Sequence, residues 1–178
     1  MAQAKKKKRF FEVEIPIIKK QTQLQAYEIE DLNGRFINYD LTRLLRGKSA
    51  ILQLKIKTEG KEITAKPMQI KILPYFLRKM VKKGTSYAED SFSAECKDAK
   101  VKIKPILVTR RKVSRVIRKT LREKCKEELI NYIKEKNSES IFEEIISNRL
   151  QKTLSLKLKK IYPLSLCEIR VLKVIENK

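Results

Sequence analysis

The sequence contains no histidine, and its three cysteines, Cys96, Cys125 and Cys167, lie far apart without a C-x-x-C pair. A structural zinc site needs a full set of nitrogen and sulfur ligands, which this chain does not supply in the usual combinations. We therefore expect neither a metal site nor a cofactor. The usual general base and the usual catalytic triads are missing together with histidine, which predicts no catalytic residue and no enzyme.

Long apolar runs are absent as well. The first residues, MAQAKKKKRF, are basic, but no apolar stretch follows them, so we do not expect a secretory signal. No segment approaches the ~18 apolar residues of a membrane span. The odd, sparse cysteine count is typical of a reducing compartment. Together these features predict a soluble, intracellular protein that does not span a membrane.

Acidic residues are scarce: 21 Asp and Glu stand against 43 Lys and Arg, a formal net charge of +22 in 178 residues. The excess positive side chains repel one another in the compact state, and this repulsion is most easily tolerated when a polyanion neutralises the charge. The hydrophobic content of 42% supports a folded core, so the chain as a whole is not a disordered basic segment. Nucleic acid is the expected partner, and an acidic membrane or acidic protein is the alternative.

Alternating apolar and polar residues predict several strands. RFFEVEI (9–15) alternates and ends at Pro16, which lacks an N–H group and suits a strand end. The segment from 51 to 73 predicts a β-hairpin that turns at Glu59-Gly60. After Pro67 its apolar positions change phase, which predicts a bulge. KVKIKPILV and LCEIRVLKVI predict two further strands.

Helix signals are fewer. Pro74 and Gly84 bracket a helix in PYFLRKMVKKG. YDLTRLLRGKS predicts a short helix closed by Gly47. A helix over 140–150 is predicted from Ser140 and Glu143, which have the spacing of a capping box.

The order β-β-β-α-β-α-α-β predicts the α+β class. We expect a single domain over residues 10–178, preceded by a flexible basic tail over 1–9. Its core is predicted to be a mainly antiparallel sheet, curled towards a barrel and flanked by helices.

The segment RRKVSRVIRKTLREKCK (110–126) carries nine Lys or Arg residues against one acid, Glu123. At about 100° per residue on a helix, most of its cations share one sector about 120° wide. The opposed sector comprises Val113, Val116, Ile117, Thr120 and Leu121. We expect its apolar members Val113, Val116, Ile117 and Leu121 to dock on the sheet. Seven guanidinium or ammonium groups on one face suit phosphates, which accept bidentate arginine bonds. This face predicts contact with a nucleic-acid backbone.

The apolar stripe of this helix changes phase at Leu129. Either the helix bends or ends near Glu127-Glu128, or its second half packs against a different partner. Cys125 lies among cations that would depress its pKa, but its position at the border of the apolar stripe favours a buried structural thiol.

Two further basic segments are candidates. FLRKMVKKGTSY places four cations beside a Gly84-Thr85-Ser86 turn that can hold phosphate, although cations also suit an ordinary helix C-terminus. The N-terminal tail suits RNA grooves or nuclear import. The predicted RNA-binding residues are Lys5, Lys6, Lys7, Lys8, Arg9, Arg78, Lys79, Lys82, Lys83, Arg110, Arg111, Lys112, Arg115, Arg118, Lys119, Arg122 and Lys126.

Three blocks occur in order: LRKMVKKGTSYAEDSF, KDAKVKIKPILVTRRKVSRVIRKTLRE and IYPLSLCEIRVLKV. With the opening segments RFFEVEIPI and DLNGRFINYDLTRLL, they resemble the archaeal and eukaryotic small-subunit ribosomal protein family S3Ae (eS1). The resemblance covers nearly the whole chain after the tail. It rests on the order of the blocks, since none is a catalytic signature.

The resemblance implies a small β-barrel-like sheet with helices, and a structural role in the small ribosomal subunit, supporting translation in the cytoplasm. It implies a place on the platform near the mRNA exit, with rRNA bound through backbone and shape contacts. The implied partners are small-subunit rRNA and neighbouring platform proteins, with mRNA near the exit and initiation factors as further neighbours.

Two alternatives come from the residues alone. One is a free nucleic-acid-binding regulator that is not stably attached to the ribosome. The other is an RNA-processing enzyme that uses a carboxylate-bound metal, for which Glu89 and Asp90 are the candidate ligands.

Overall fold

A computed structural model describes residues 7–60 and 62–175 of the chain. The predicted RNA-binding residues Lys5 and Lys6 lie outside the described residues. The chain forms two compact units. Unit 1 holds the described residues up to Tyr39 together with Gln53–Met68, and unit 2 holds Asp40–Leu52 and the described residues from Gln69 onward.

The described residues form nine strands and four α-helices. The strands are β1 (Arg9–Ile15), β2 (Lys20–Ala26), β3 (Phe36–Asp40), β4 (Ala50–Glu59), β5 (Glu62–Ile72), β6 (Tyr87–Glu89), β7 (Phe92–Glu95), β8 (Lys100–Thr109) and β9 (Leu164–Ile175). The helices are α1 (Pro74–Met80), α2 (Arg115–Lys134), α3 (Ser138–Ile146) and α4 (Arg149–Leu158). Short 3-10 turns occupy Pro16–Ile18 and Glu30–Leu32.

Unit 1 is built on the antiparallel hairpin of β1 and β2, in which Val13 pairs with Thr22. The alternation in β1 buries Val13 and Ile15 completely, as predicted, and its strand ends at Pro16. The parallel pairing of β1 with β5 joins Glu14 to Thr64. The sequence analysis missed β2, whose residues are mostly polar, and β3, whose residues are all half-buried or exposed.

Unit 2 centres on the long antiparallel pair β8–β9, which runs from Lys100 opposite Ile175 to Thr109 opposite Leu164. β6 and β7 pair with β8 on its other side. The end of β5 pairs with β9, where Ile70 lies opposite Leu172. The helices α2, α3 and α4 pack on this part of the sheet and on one another.

The α+β class and the mainly antiparallel sheet are confirmed. The predicted hairpin is formed by β4 and β5, and Gly60 turns it with a φ of +65°. Its buried positions change phase between Pro67 and Ile70, as expected. Pro74 occupies the first turn of α1, also as predicted.

The predicted short helix before Gly47 is wrong, because this segment forms hydrogen-bonded turns. The side chain of Asp40 accepts the Thr42 N–H at 2.8 Å, as an N-cap would, but only one helical bond follows, from Leu45 N–H to the Leu41 carbonyl, before Gly47 N–H reaches back to Thr42. Arg46 and Gly47 then both take left-handed conformations, with φ of +52° and +90°. Lys48 follows and pairs with Glu168 of β9, and its Nζ also donates to Asn148 Oδ1 at 3.0 Å.

The predicted helix over 140–150 is wrong in its bounds, since two helices occupy this region. The first begins at Ser138, whose N–H donates to Asp98 at 2.8 Å. This remote carboxylate, rather than the expected capping box at Ser140, serves the start of α3. Asn148 breaks the helical path with a φ of +58°, and α4 begins directly after it.

Candidate nucleic-acid interface

The predicted basic helix is α2, and it continues to Lys134. Its fully buried residues recur every fourth position as Leu121, Cys125, Leu129 and Ile133. Because four residues turn a helix by about 400°, this stripe shifts by about 40° at each step and winds around the helix. The helix contacts β6, β7 and α4, and Leu129 lines a pocket with Leu150 and Leu154 of α4. The change at Leu129 thus reflects a different packing partner, and the alternative of a helix ending near Glu127 is wrong.

The apolar side of α2 is narrower than predicted. Leu121 is fully buried, but Val116 is 73% exposed and Thr120 is exposed as well. Val113 and Ile117 are half-buried. Ser114 caps the helix, and its side chain accepts the Ile117 N–H at 3.4 Å. The first turn holds no acid, so positive side chains lie at the end of the helix dipole that favours negative charge.

Most predicted cations of α2 are exposed, namely Arg115, Lys119, Arg122 and Lys126. Lys119 lies 3.8 Å from Glu123, an exposed pair of small energetic value. The Lys126 ammonium lies 5.9 Å from the centre of the Phe92 ring on β7. Arg118 differs, since it is half-buried and its Nε is shielded from solvent without a hydrogen-bond partner among the described residues.

Hydrogen bonds join the turn after α1 to the segment before α2. Thr109 N–H donates to the Ser86 carbonyl at 2.8 Å, and Ser86 Oγ accepts the Val113 N–H at 3.3 Å. The Thr85 hydroxyl donates to the Lys82 carbonyl at 2.7 Å. Two basic segments that are distant in sequence, 82–83 and 110–112, therefore flank one hydrogen-bonded connection. The Thr85 hydroxyl thus spends its proton within the fold, whereas the Ser86 hydroxyl accepts and keeps its own proton to donate.

We call the resulting set the cationic surface: Lys82, Lys83, Arg110, Arg111, Lys112, Arg115 and Arg122. All seven are exposed. Among residues 7–60 and 62–175, none of them has a carboxylate oxygen within 4.0 Å. A concentration of like charge without internal neutralisation produces a positive potential that attracts polyanions.

The other predicted cations lie elsewhere. Arg78 and Lys79 are exposed in the last turn of α1, within unit 2. Lys7, Lys8 and Arg9 are exposed and belong to unit 1. The Lys8 ammonium lies 5.6 Å from the centre of the Tyr27 ring, which is itself 47% exposed.

The C-terminal half of α2 handles its charges differently. Lys124 Nζ lies 2.8 Å from Glu127 and 3.8 Å from Glu128, and Lys157 of α4 lies 2.6 Å from Glu128. The hydrogen bond from Lys157 holds the pKa of Glu128 below its usual value. Hydrogen bonding to Glu127 raises the pKa of Lys124. These lysines serve contacts within the protein.

The cysteines suit a structural role. Cys125 is 1% exposed, as predicted for a buried thiol, and burial raises its pKa to about 12. Burial also raises the pKa of Cys96 to about 11 and that of Cys167. Such thiols stay protonated at neutral pH and are poor nucleophiles. In the part of the chain that the structure describes, no group of three or more Cys, Asp or Glu residues is placed to hold a metal ion.

Sequence reasoning missed a group of lysines on the sheet, among them Lys71, Lys102 and Lys173. The alternation in KVKIK was visible, but it was used only to predict a strand. Which lysines meet across strands depends on the pairing register, which cannot be read from the sequence.

No described helix combines the length and apolar character needed to cross a membrane.

Comparison with known proteins gives one consistent family. Residues 2–178 match the ribosomal S3Ae family. The small ribosomal subunit protein eS1 of Methanothermobacter thermautotrophicus is 30% identical over 119 residues, which cover 66% of this chain and 61% of that protein. The protein eS1 of Nanoarchaeum equitans is 26% identical over 167 residues, which cover 89% of this chain and 84% of that protein.

The match over nearly the whole length means that the chain belongs to the ribosomal S3Ae family. The predicted resemblance is therefore confirmed. Membership of a ribosomal protein family also supports a structural protein rather than an enzyme.

Proposed function

We propose that this chain is a structural constituent of the small ribosomal subunit that binds rRNA through phosphate contacts made by the cationic surface. The observation that carries the proposal is the set of seven exposed cations without a carboxylate partner among the described residues. A structural role in the small subunit is supported by the family and by the names of both relatives. As a ribosome component the protein would act in the cytoplasm.

Backbone recognition suits this surface better than base reading. Arg110, Arg111, Arg115 and Arg122 offer planar guanidinium groups that match phosphate oxygens. Phosphate contacts position a nucleic acid without reading its sequence. In double-stranded RNA the deep groove is closed to side chains, so recognition by shape and backbone is the rule.

The resemblance to the family further supports a location on the platform near the mRNA exit. There the neighbours would be other platform proteins, mRNA and initiation factors. The basic residues of unit 1, Lys7, Lys8 and Arg9, are proposed as additional rRNA contacts, as are Lys5 and Lys6, which lie outside the described residues. Arg78, Lys79, Arg118, Lys119 and Lys126 complete the proposed set.

Incorporation into ribosomes tests the proposal. We expect the wild-type chain to sediment with small subunits and to leave them only at high salt, because counterion release makes phosphate binding salt-dependent. The triple variant Arg111→Gln, Arg115→Gln, Arg122→Gln should incorporate poorly while keeping its fold. Arg118 is left unchanged, since it is half-buried and its loss would disturb packing.

A control removes positive charge from exposed lysines that already pair with glutamates: Lys124→Gln and Lys157→Gln. This control should incorporate nearly normally. Normal incorporation of the arginine variant would remove the cationic surface as the rRNA contact. Recovery of the wild-type chain in ribosome-free fractions after gentle lysis would instead favour the free nucleic-acid-binding regulator.

A further inference from the structure

The strand register of unit 2 gathers five lysines on one face of the sheet. Lys102 of β8 lies directly opposite Lys173 of β9. Two residues along, Lys104 lies opposite Val171, and Val171 lies opposite Lys71 of β5. Direct partners and residues two apart share a face of a pleated sheet, so Lys100 belongs to the same set. We call Lys71, Lys100, Lys102, Lys104 and Lys173 the lysine ladder.

This arrangement is unfavourable for the isolated protein. Like charges directly opposite one another on adjacent antiparallel strands destabilise the pair, and Lys102 with Lys173 is such a pair. On the same face Glu95 of β7 lies opposite Lys100, while Glu89 and Glu168 lie opposite Ile106, two residues beyond Lys104, and pair with Arg170 and Lys48 instead. Within the described ranges, none of the ladder lysines has a carboxylate oxygen within 4.0 Å. Lys71, Lys100, Lys102 and Lys173 are exposed, and Lys104 is half-buried.

The ladder lies on the opposite side of the sheet from α2. Phe92 and Ala94 of β7 point to the α2 side, where the Lys126 ammonium lies 5.9 Å from the Phe92 ring. Ser93, which alternates with them, lies opposite Lys102 in the register. The lysine ladder and the α2 members of the cationic surface, Arg115 and Arg122, therefore lie on opposite sides of the sheet.

We propose that the lysine ladder is a second RNA-binding surface, which takes the phosphodiester backbone of a different RNA segment from the one bound at the cationic surface. Residues two apart on a strand are about 7 Å apart and neighbouring strands about 4.8 Å, so the ladder covers about 14 by 10 Å. A patch of that size meets a few consecutive phosphates. The inference rests on the proposed function, since it assumes that the polyanion is RNA.

The two-surface arrangement also accounts for the cost of the ladder. An exposed lysine pair that weakens the sheet is tolerated if a phosphate between the two ammonium groups turns repulsion into attraction. The two sides of this part of the fold would then hold two RNA segments, as suits a protein embedded among folded RNA.

Binding stoichiometry tests the proposal with a short probe. We suggest an RNA duplex of about 12 base pairs, shorter than the roughly 16 base pairs that a double-stranded RNA-binding domain spans. The full chain would be compared with a ladder variant (Lys71→Gln, Lys102→Gln, Lys173→Gln), with the arginine variant described above and with the paired-lysine control. Native mass spectrometry and titration calorimetry would count the bound duplexes.

We expect two duplexes on the wild-type chain and on the control, one on the ladder variant, one on the arginine variant, and none when both sets are combined. At the remaining sites, affinity should be unchanged. For duplex bound to the arginine variant, the slope of log affinity against log salt should report only the ladder contacts, at about 0.9 per phosphate neutralised.

The failures of the two proposals differ. If the ladder variant still binds two duplexes, or the wild-type chain binds only one that the arginine variant loses, the ladder proposal is overturned and the proposed function stands. If the wild-type chain binds no duplex, the RNA contact itself is overturned.

Thermal unfolding supplies an independent readout without RNA. Lys102→Gln with Lys173→Gln should raise Tm by about 1 to 3 °C at low salt, because the cross-strand repulsion is removed. The rise should shrink as salt screens the charges. A loss of RNA binding together with a fall in Tm would mean that the lysines serve packing, and would count against the proposal.

Discussion

The two halves of α2 are equally helical, yet they treat their charges in opposite ways. In the N-terminal half (Arg115–Arg122) the exposed cations Arg115 and Arg122 have no acidic partner within the described residues. In the C-terminal half (Glu123–Lys134) Lys124 pairs with Glu127 and Glu128, and α4 supplies Lys157 to Glu128. The C-terminal half is stabilised from within the chain, whereas the N-terminal half presents its charge outward.

The difference shows that a run of basic residues indicates a nucleic-acid contact only once the cations that pair with carboxylates inside the protein have been set aside. Lys124 and Arg122 are two residues apart in one cationic segment. Lys124 pairs with Glu127 and Glu128 one turn further along the helix, whereas Arg122 has no carboxylate partner among the described residues. Arg122 is therefore the one of the two available to a phosphate. Four substitutions sharpen the contrast, taken here from the largest expected effect to the smallest.

The packed half should be the sensitive one for stability. Leu129→Ala removes a side chain that is 2% exposed against α4, and we expect a loss of about 2–5 kcal/mol in the free energy of unfolding. The control Val116→Ala, at a position 73% exposed, should change it by less than about 0.5 kcal/mol. Urea denaturation measures both. Equal losses would contradict the division of α2 into a packed and an outward-facing half.

The N-terminal half should depend on its cap. Ser114→Ala removes the acceptor for the Ile117 N–H and should cost about 1 kcal/mol, measured by the same denaturation. Ser114→Asp retains an acceptor and adds a negative charge near the helix N-terminus, so it should restore stability. If Ser114→Ala is as stable as wild type, the Ser114 cap does not stabilise the N-terminus of α2.

Charge reversal should separate stability from binding. Arg115→Glu places an acid in the first turn and should stabilise the isolated protein by about 0.3–1 kcal/mol, while it weakens RNA binding. The control Lys134→Glu, in the last turn, should destabilise by a similar amount because the dipole is reversed there. Unfolding and RNA titration would be measured on both proteins. A destabilised Arg115→Glu would mean that Arg115 serves the fold.

The pair between Glu128 and Lys157 should give the smallest effect. A carboxyl whose pKa falls on folding stabilises the folded state above its unfolded pKa, here 4.5, and loses that contribution as pH falls through the lower folded value. Glu128→Gln should therefore reduce stability by a few tenths of a kcal/mol at pH 7, and this loss should shrink as pH falls through the folded pKa. Lys157→Gln should cost a similar amount. A difference between wild type and Glu128→Gln that persists at low pH would refute the ionic origin.

The part of the candidate site that depends on the helical pattern alone was predictable from the sequence. The run from Arg110 to Lys126 identified the helix and its exposed arginines, because a helical projection needs only the sequence. The projection wrongly predicted that Val116 docks on the sheet, because the position of an apolar residue on a helix does not show how far the sheet extends beneath it. The pairing of Lys124 and the half-burial of Arg118 depend on neighbours that projection does not include.

The sequence by itself determined the net charge, the family, the hairpin at Gly60 and the start of α1 at Pro74, because these follow from composition, block order and single-residue backbone preferences. The tertiary structure alone decided that the segment before Gly47 is not a helix, that Asp98 caps α3, and that Lys102 faces Lys173. The cap of α3 joins residues 40 apart in sequence, the lysine pair depends on strand register, and the turns before Gly47 lead into the remote pair of Lys48 with Glu168. Such contacts are set by the packing of the whole chain rather than by local propensity.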